Sequence, residues 1–343
     1  MEKERNMKNK SLLYVVTALV VLVLGGVAYS SFFSNNSKDA SAKLADKKIV
    51  KIGVLQYITH PSLDEIYQGI KDGLKEEGYE EGKNIEIDFQ NAEGDQSQVQ
   101  TMSNLLVQNK NDIFVGIATP AAQGLANAEK EKPVIMGAIS DPVGAKLVQS
   151  LEKPGANVTG VSNQEAIGDT VDLIKEITPN VKTIGILYSS NESNSKSQVE
   201  KFTSIAEKAG YTVQPYAISS TNDIISTVGV MAGKVDAIYI PVDNAIANGF
   251  ESVITTANKT KTPVYSSVED FVQKGSIAGA TLSQRQLGVA TGKMIAKVIK
   301  GANPADTPVD IYDKGSVVIN KKAASELGLT IPDSLLKDAK VIE

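Results

Sequence analysis

The sequence predicts an α/β protein of two Rossmann-like lobes with parallel sheets, joined by a hinge and preceded by an N-terminal membrane-anchor helix. Three observations predict it. A basic and then apolar segment opens the chain, strand-like and helix-like segments alternate after it, and the second half repeats landmarks of the first in the same order.

Lys3, Arg5, Lys8 and Lys10 precede an uncharged run over residues 11–37 whose apolar heart is 12–27. Such a run is a signal peptide or a membrane helix. Residues 12–29 lie at the short end of the ~17 to 25 that span a bilayer and exceed the usual cleavable core. Positive charge before the run keeps that end in the cytoplasm and exports the remainder. The expected layout is a basic cytoplasmic segment (1–10), a signal anchor (11–33) and a Ser-, Asn- and Lys-rich linker (34–48), which places the rest on the extracytoplasmic face of the cell membrane. Cleavage after Ala28 or Ser30, with secretion, is the alternative.

Beyond the linker, apolar runs of strand length (49–55, 85–89, 113–117 and 133–138) are each followed by a helical pattern (63–77, 96–108, 121–130 and 143–151). Strand and helix in alternation imply a parallel sheet with helices on both faces. Ile52-Gly53-Val54-Leu55 is echoed by Ile184-Gly185-Ile186-Leu187, and Gly78-Tyr79 by Gly210-Tyr211. Asp112-Ile113-Phe114-Val115 is echoed by Asp236-Ala237-Ile238-Tyr239, and Lys132-Pro133-Val134 by Thr262-Pro263-Val264. Repetition in register means two similar lobes. The Gly-, Pro- and Asn-rich stretch 151–164 suits a crossing between them, and the late helix 284–300 belongs to a tail that returns across the boundary. Lobe 1 is expected at 49–161 and about 281–308, lobe 2 at 162–280 and about 309–343.

Composition removes several functions. Of 35 Lys and Arg and 40 Asp and Glu, 27 and 36 fall beyond Lys48, and a portion that acidic is a poor ligand for nucleic acid. The absence of Cys excludes disulfides, thiolate chemistry and a lipid-modified N-terminal Cys, and with a single histidine, His60, no metal site is expected. Gly288-Val289-Ala290-Thr291-Gly292-Lys293 resembles a phosphate loop but is one residue short between its glycines, and Met294 stands where a Mg²⁺-ligating hydroxyl belongs. No Gly-x-Ser-x-Gly elbow or Gly-x-Gly-x-x-Gly fingerprint occurs, so neither catalytic residues nor a cofactor are expected.

In open parallel sheets ligands bind beyond the carboxyl ends of the strands, so equivalent loops of two facing lobes should share one cleft. The pairs are 56–61 with 188–195, 118–121 with 241–244, and 139–142 with 266–270. They carry Thr119, Ser140, Asp141, Ser189, Ser190, Asn191, Asn194, Asp243, Asn244, Ser267 and Glu269. Helix capping accounts for such residues singly, but not for two or three in each loop.

These loops resemble the ABC-importer solute-binding family whose best-known members serve tryptophan and tyrosine. The resemblance rests on Thr119-Pro120-Ala121-Ala122-Gln123, Ser140-Asp141-Pro142-Val143-Gly144-Ala145, Pro154-Gly155-Ala156-Asn157-Val158-Thr159-Gly160-Val161, Ser190-Asn191-Glu192-Ser193-Asn194-Ser195 and Pro241-Val242-Asp243-Asn244. Many relatives carry Asp-Tyr before the late Leu-Gly, where this chain reads Ser283-Gln284-Arg285-Gln286. The resemblance implies a type I periplasmic-binding fold that closes on a free amino acid, expected to be aromatic, and delivers it to a membrane permease driven by a cytoplasmic ATPase. On that reading the ligand carboxylate meets N–H groups and hydroxyls near Thr119, Ala121, Ser189 and Ser190. Its ammonium meets Asp243 or Glu269, with Asp141 next. Asn163, Asn191 and Asn244 complete a polar shell, and Tyr57, Pro61 and Pro120 face the side chain. A sugar or other small-molecule receptor of the same fold is the alternative; the absence of Trp speaks against a stacked sugar ring.

Overall fold

The computed structural model describes residues 44–343. The expected cytoplasmic segment, the anchor and most of the linker lie outside the described residues. Among the described residues, no helix is long and apolar enough to cross a membrane.

The first lobe is built from β1 (Val50–Gln56), α1 (Pro61–Glu76), β2 (Ile85–Asn91), α2 (Gln96–Gln108), β3 (Ile113–Ile117), α3 (Thr119–Ala128), β4 (Val134–Ile139) and β5 (Val158–Asn163). The second takes α4 (Ile167–Ile177), β6 (Thr183–Ser189), α5 (Ser193–Lys208), β7 (Thr212–Ile218), α6 (Ile224–Met231), β8 (Ala237–Ile240), α7 (Asn244–Asn248), α8 (Phe250–Asn258), β9 (Val264–Ser266), α9 (Glu269–Gln273) and β10 (Ala278–Thr281). The chain then returns through α10 (Gln284–Ile299) and β11 (Asp310–Tyr312) before β12 (Ser316–Asn320), α11 (Lys321–Glu326), α12 (Asp333–Leu336) and β13 (Lys340–Ile342). The sheets run β11-β5-β4-β3-β1-β2 and β13-β12-β10-β9-β8-β6-β7, parallel throughout except at β10–β12.

The repeated landmarks have repeated jobs. Asp112 accepts from Lys51 N at 3.0 Å, and Asp236 accepts from Lys182 N and Thr183 N at 2.9 and 2.8 Å, so each carboxylate ties the strand it precedes to the start of the neighbouring one. Gly78 (φ +87°) and Gly210 (φ +96°) reverse the chain after α1 and α5 in the left-handed region. The following tyrosine N–H then closes on the helix, Tyr79 on Leu74 O and Tyr211 on Ala206 O, in the manner of a Schellman cap.

The segment that resembles a phosphate loop is a packing surface. Gly288 and Gly292 of α10 lie against Gly69 and Gly73 of α1, where a Cβ on Gly288 would stand 2.2 Å from Ile66 O. Ion pairs flank the contact: Arg285 with Asp72 and Glu65, Lys293 with Glu76, and Lys300 with Glu77. Leu287, Met294, Ile295, Val298 and Ile299 complete the first lobe's core. In the second lobe, Phe202 stacks on Tyr239 at 3.9 Å on one side of the sheet and Phe250 on Phe271 at 4.2 Å on the other.

Two details differ from the sequence reading. Residues 143–151 form turns rather than a helix, because the chain folds back on Pro142, whose carbonyl accepts from Leu147 N, with Lys146 at φ +59°. The crossings are also displaced. β5 pairs in the first sheet along its length, so the chain leaves that lobe after Asn163 rather than near 161. β11 pairs with β5, so the last crossing follows Tyr312 rather than preceding 309. β5 is fully buried, with Thr159 and Ser162 facing inward, and its Gly- and Asn-rich sequence hides its strand character.

Candidate functional site

In each sheet the chain winds outward in both directions from one switch point, between β1 and β3 in the first lobe and between β6 and β8 in the second. A crevice opens at such a point beyond the strand ends. The loops there hold Tyr57, His60 and Ala118 on one side, and Ser189, Glu192, Asp243 and Asn244 on the other.

The backbone at these ends is forced. Ala118 sits at φ +74°, ψ 156°, a region that is essentially glycine's, and turns β3 sharply into α3. Gly116 permits the turn, since a Cβ there would meet Ala122 Cα at 2.4 Å. On the adjacent strand Ala138 lies at φ +61°, where the pairing of β4 with β5 shifts register. The result leaves the N–H groups of Thr119 and Ala121, in the first turn of α3, without a helical partner at the crevice end of β3.

Among the described residues, three side-chain hydrogen bonds join the two halves. Across the cleft, His60 Nε2 lies 3.2 Å from Asn244 Oδ1. Ser197 Oγ of α5 donates to Asp141 Oδ2 at 2.6 Å. At the hinge, Ser140 Oγ donates to Glu165 Oε1 at 2.9 Å. Asn244 is itself pinned: its backbone N–H and its Nδ2 both donate to Glu192. Its Oδ1, an acceptor only, must therefore receive the His60 Nε2 proton, which leaves Nδ1 as a bare acceptor.

The cleft is acidic. Glu192 and Asp243 are each 1% exposed, and among the described residues neither has an ion-pair partner. Burial, and then the Asp243 charge, pushes Glu192 up to about 8. Burial raises Asp243 as well, opposed by donation from Ser189 N, Ile246 N and Ser195 Oγ. Glu165 is pushed up to about 7 by burial, an effect that Ser140 moderates. The Tyr57 phenol is raised by burial and by the charges of Glu192 and Asp243, which face it from the other lobe. Burial holds His60 below its usual value, so it is neutral at pH 7.

Several buried polar atoms here have no partner among the described residues: Gln56 Oε1, His60 Nδ1, Ser62 Oγ, Ser162 Oγ, Asn163 Oδ1 and Asn194 Oδ1. A buried polar atom left unpaired costs about 1 to 3 kcal/mol, so so many around one crevice mark a surface made for a hydrogen-bonding guest. His60, Ser62, Asp243, Asn244, Phe271 and Gln284 also line a cavity of about 20 Å³ between the lobes, room for one water. Among the described residues no three His, Asp or Glu stand together as metal ligands.

Of the residues singled out in the sequence, Tyr57, Thr119, Ala121, Asn163, Ser189, Asn194, Asp243, Asn244 and Ser267 are buried at the facing loops, and Ser140, Asp141 and Ser190 are half-buried beside them. The rest point elsewhere. Pro61 is exposed, Pro120 lines a groove on the flank of the first lobe, and Asn191 is exposed and donates to Ser219 O. Glu269 pairs with Lys340 of β13. The N–H groups of Ser189 and Ser190 are already engaged by Asp243 Oδ2 and Ile218 O, so they do not offer the carboxylate partner expected of them. Gln56, His60, Ser162, Glu165 and Glu192 were not among the expected site residues; an acid at the N-cap of α5, where Ser, Thr, Asp or Asn is usual, was the available signal for Glu192.

The family described as ABC transporter substrate binding protein matches residues 51–342. The chain belongs to that family. This substrate-binding protein is 36% identical over 322 residues to the tyrosine-binding protein of Clostridioides difficile (strain R20291), covering 94% of this chain and 93% of that one. It is 60% identical to an ABC domain from Streptococcus pneumonia crystallised in complex with L-Trp, covering 85% of this chain and 99% of that one, with a TM-score of 0.84. To a ligand-free, open substrate-binding protein with adhesive properties from Clostridium difficile it is 35% identical, covering 86% and 99%, with a TM-score of 0.67. The substrate-binding protein thus has the type I periplasmic-binding fold. The hydrogen bonds of His60 and Ser197 hold its two lobes in contact across the cleft.

Proposed function

We propose that this substrate-binding protein captures a free aromatic amino acid, with tryptophan, tyrosine and phenylalanine as the candidates, and delivers it to an ABC permease from the extracytoplasmic face of the membrane, held by its N-terminal segment. The observation that carries the reading is the pair of buried, cation-free carboxylates Glu192 and Asp243 at the switch-point cleft. An isolated buried charge is costly unless paired, and an ammonium group is the partner this pair lacks. The 60% identity to the L-Trp-bound domain supports the same class of ligand.

The ligand carboxylate lies at the start of α3, near Thr119 and Ala121, where free N–H groups and the helix dipole favour an anion. Gln56 Oε1, Asn163 Oδ1, Asn194 Oδ1 and His60 Nδ1 take up the ligand's remaining N–H or O–H donors. Tyr57 and Ala118 border the side chain. Because contacts come from both lobes, only the closed state meets them all, so ligand shifts the population toward closure. The protein binds and releases without chemical change.

Titration calorimetry of the full chain in detergent with L-Trp, L-Tyr, L-Phe and a panel of sugars tests the reading. Saturable heat with at least one aromatic amino acid is expected, and the ligand is recovered unaltered by mass spectrometry. Heat with sugars only, or turnover of the ligand, defeats it.

A further inference from the structure

Glu192 and Asp243 bear on each other without a cation between them. Asn244 joins their loops: its N–H and Nδ2, with Ala245 N, serve Glu192, while Asp243 is held by Ser189 N, Ser195 Oγ and Ile246 N. The groups facing the pair from neighbouring elements supply no positive charge. Tyr57 at the end of β1 is a neutral phenol with Asp95 behind it. His60 at the start of α1 is neutral, among Asp64, Asp270 and Lys274, and Lys274 is itself paired with Asp270. Glu165 at the first crossing adds a further acid, with Lys201 and Asp141 as its charged neighbours. Two unpartnered acceptors adjoin the pair. Asn194 is 3% exposed and donates through Nδ2 toward Glu192, leaving Oδ1 free; His60 is 8% exposed and leaves Nδ1 free.

From this arrangement we infer that the ligand enters the cleft by displacing a proton from the Glu192–Asp243 pair, so that capture is coupled to proton release and strengthens with rising pH. The inference rests on the amino-acid reading of the cleft. In the free protein two buried carboxylates whose loops Asn244 joins, with no cation at either, keep one proton between them, and burial raises both, Glu192 up to about 8. Glu192 is met by Asn244 N, Asn244 Nδ2 and Ala245 N, and Asp243 by three donors of its own, so the single charge belongs to the pair. An ammonium group beside them favours the doubly ionised form, so the pair's one O–H bond breaks and that proton passes to the buffer while the ligand keeps all of its own. At pH 7 about 0.5 to 1 proton leaves per ligand, and affinity rises up to about tenfold per pH unit between roughly pH 6 and 7.5. Solute capture outside the cell would then weaken as the medium acidifies.

The test is calorimetry of the full chain with L-Trp, L-Tyr and L-Phe at pH 7 in phosphate and in Tris, whose ionisation enthalpies differ widely. A buffer-dependent heat equivalent to about 0.5 to 1 proton released, which falls below about 0.2 in Glu192→Gln and persists in Glu165→Gln, is expected. Binding of the wild-type chain with the same heat in both buffers overturns the inference and leaves the amino-acid reading intact. Release that survives Glu192→Gln but vanishes in Glu165→Gln also overturns it, by assigning the proton to the hinge acid. No heat with any of the three amino acids overturns the reading of the cleft itself. The wild-type comparison needs no variant, so a misfolded Glu192→Gln chain does not rescue the inference.

Discussion

A Cβ built on Gly69 would stand 2.9 Å from the Cα of Gly288 and 2.2 Å from the carbonyl oxygen of Arg285. Helices α1 and α10 thus touch backbone to backbone, and the contact has a functional address. α1 starts at the His60 loop, and α10 starts where the chain re-enters the first lobe from the second. Gly69→Ala or Gly288→Ala forces the helices apart against backbone atoms that cannot rotate away. A loss of at least about 2 kcal/mol is expected, read as a lowered urea midpoint, with Gly168→Ala, where open space surrounds the added carbon, as the control within about 0.5 kcal/mol.

Ala118 holds a glycine-type conformation to turn β3 into the proposed carboxylate subsite. Backbone strain of this kind costs about 1 to 3 kcal/mol and persists only where its surroundings impose it. Ala118→Gly relieves the strain at the cost of one buried methyl. Thermal denaturation should show the variant equal to or more stable than the parent, and a clear loss would show that Ala118 is not strained.

Ser197 and Asp141 bridge the lobes outside the acidic pair. Gly144 N also donates to Asp141, so removing the Ser197 hydroxyl leaves the carboxylate with a partner in its own lobe. Ser197→Ala therefore weakens only the closed state. Its half-buried bond contributes about 0.5 to 1.5 kcal/mol, so ligand affinity should drop about two- to tenfold with the unfolding midpoint nearly unchanged. Small-angle scattering of the ligand-free variant should show a larger radius of gyration; an unchanged affinity would remove the bridge from the closing mechanism.

The two-lobed fold was legible because its markers are local. Gly78-Tyr79 and Gly210-Tyr211 are helix stops, Asp112 and Asp236 are strand ties, and each works within a few residues or one strand of itself. β5 was not legible as a strand, since a wholly buried strand has no alternation and this one is rich in small polar residues. The site was legible as a set of loops but not as a set of roles. Glu269 and Asp243 read alike in sequence, yet only the tertiary fold turns one toward Lys340 and buries the other. His60, set before a proline in a loop, reads as a surface residue; it is buried because Asn244, 184 positions away, closes over it.

The buried acids also set the pH dependence of the ligand-free fold. Glu192 and Glu165, pushed up to about 8 and about 7, hold protons in the folded chain that they give up in the unfolded one, where carboxylates titrate near 4.5. Between about pH 5 and 8 the native state binds more protons, so the stability from these groups is full at the acid end and is lost as pH rises through their folded values. His60 acts the other way: its lowered value makes the folded chain lose stability as pH falls below about 6.5, where the unfolded histidine charges. Two acids against one histidine leave a ligand-free melting temperature that declines from about pH 6 to pH 8. Glu192→Gln keeps one carbonyl acceptor, for the Asn244 and Ala245 N–H groups or for Asn244 Nδ2 but not for both, while removing the largest part of the decline, so its melting curve should run flatter over that interval. Thermal scans in steps of half a pH unit, with and without saturating L-Trp, make the comparison: ligand should flatten the wild-type curve as the mutation does, and a wild-type melting temperature that climbs toward pH 8 without ligand would show that Glu192 is ionised in the free cleft.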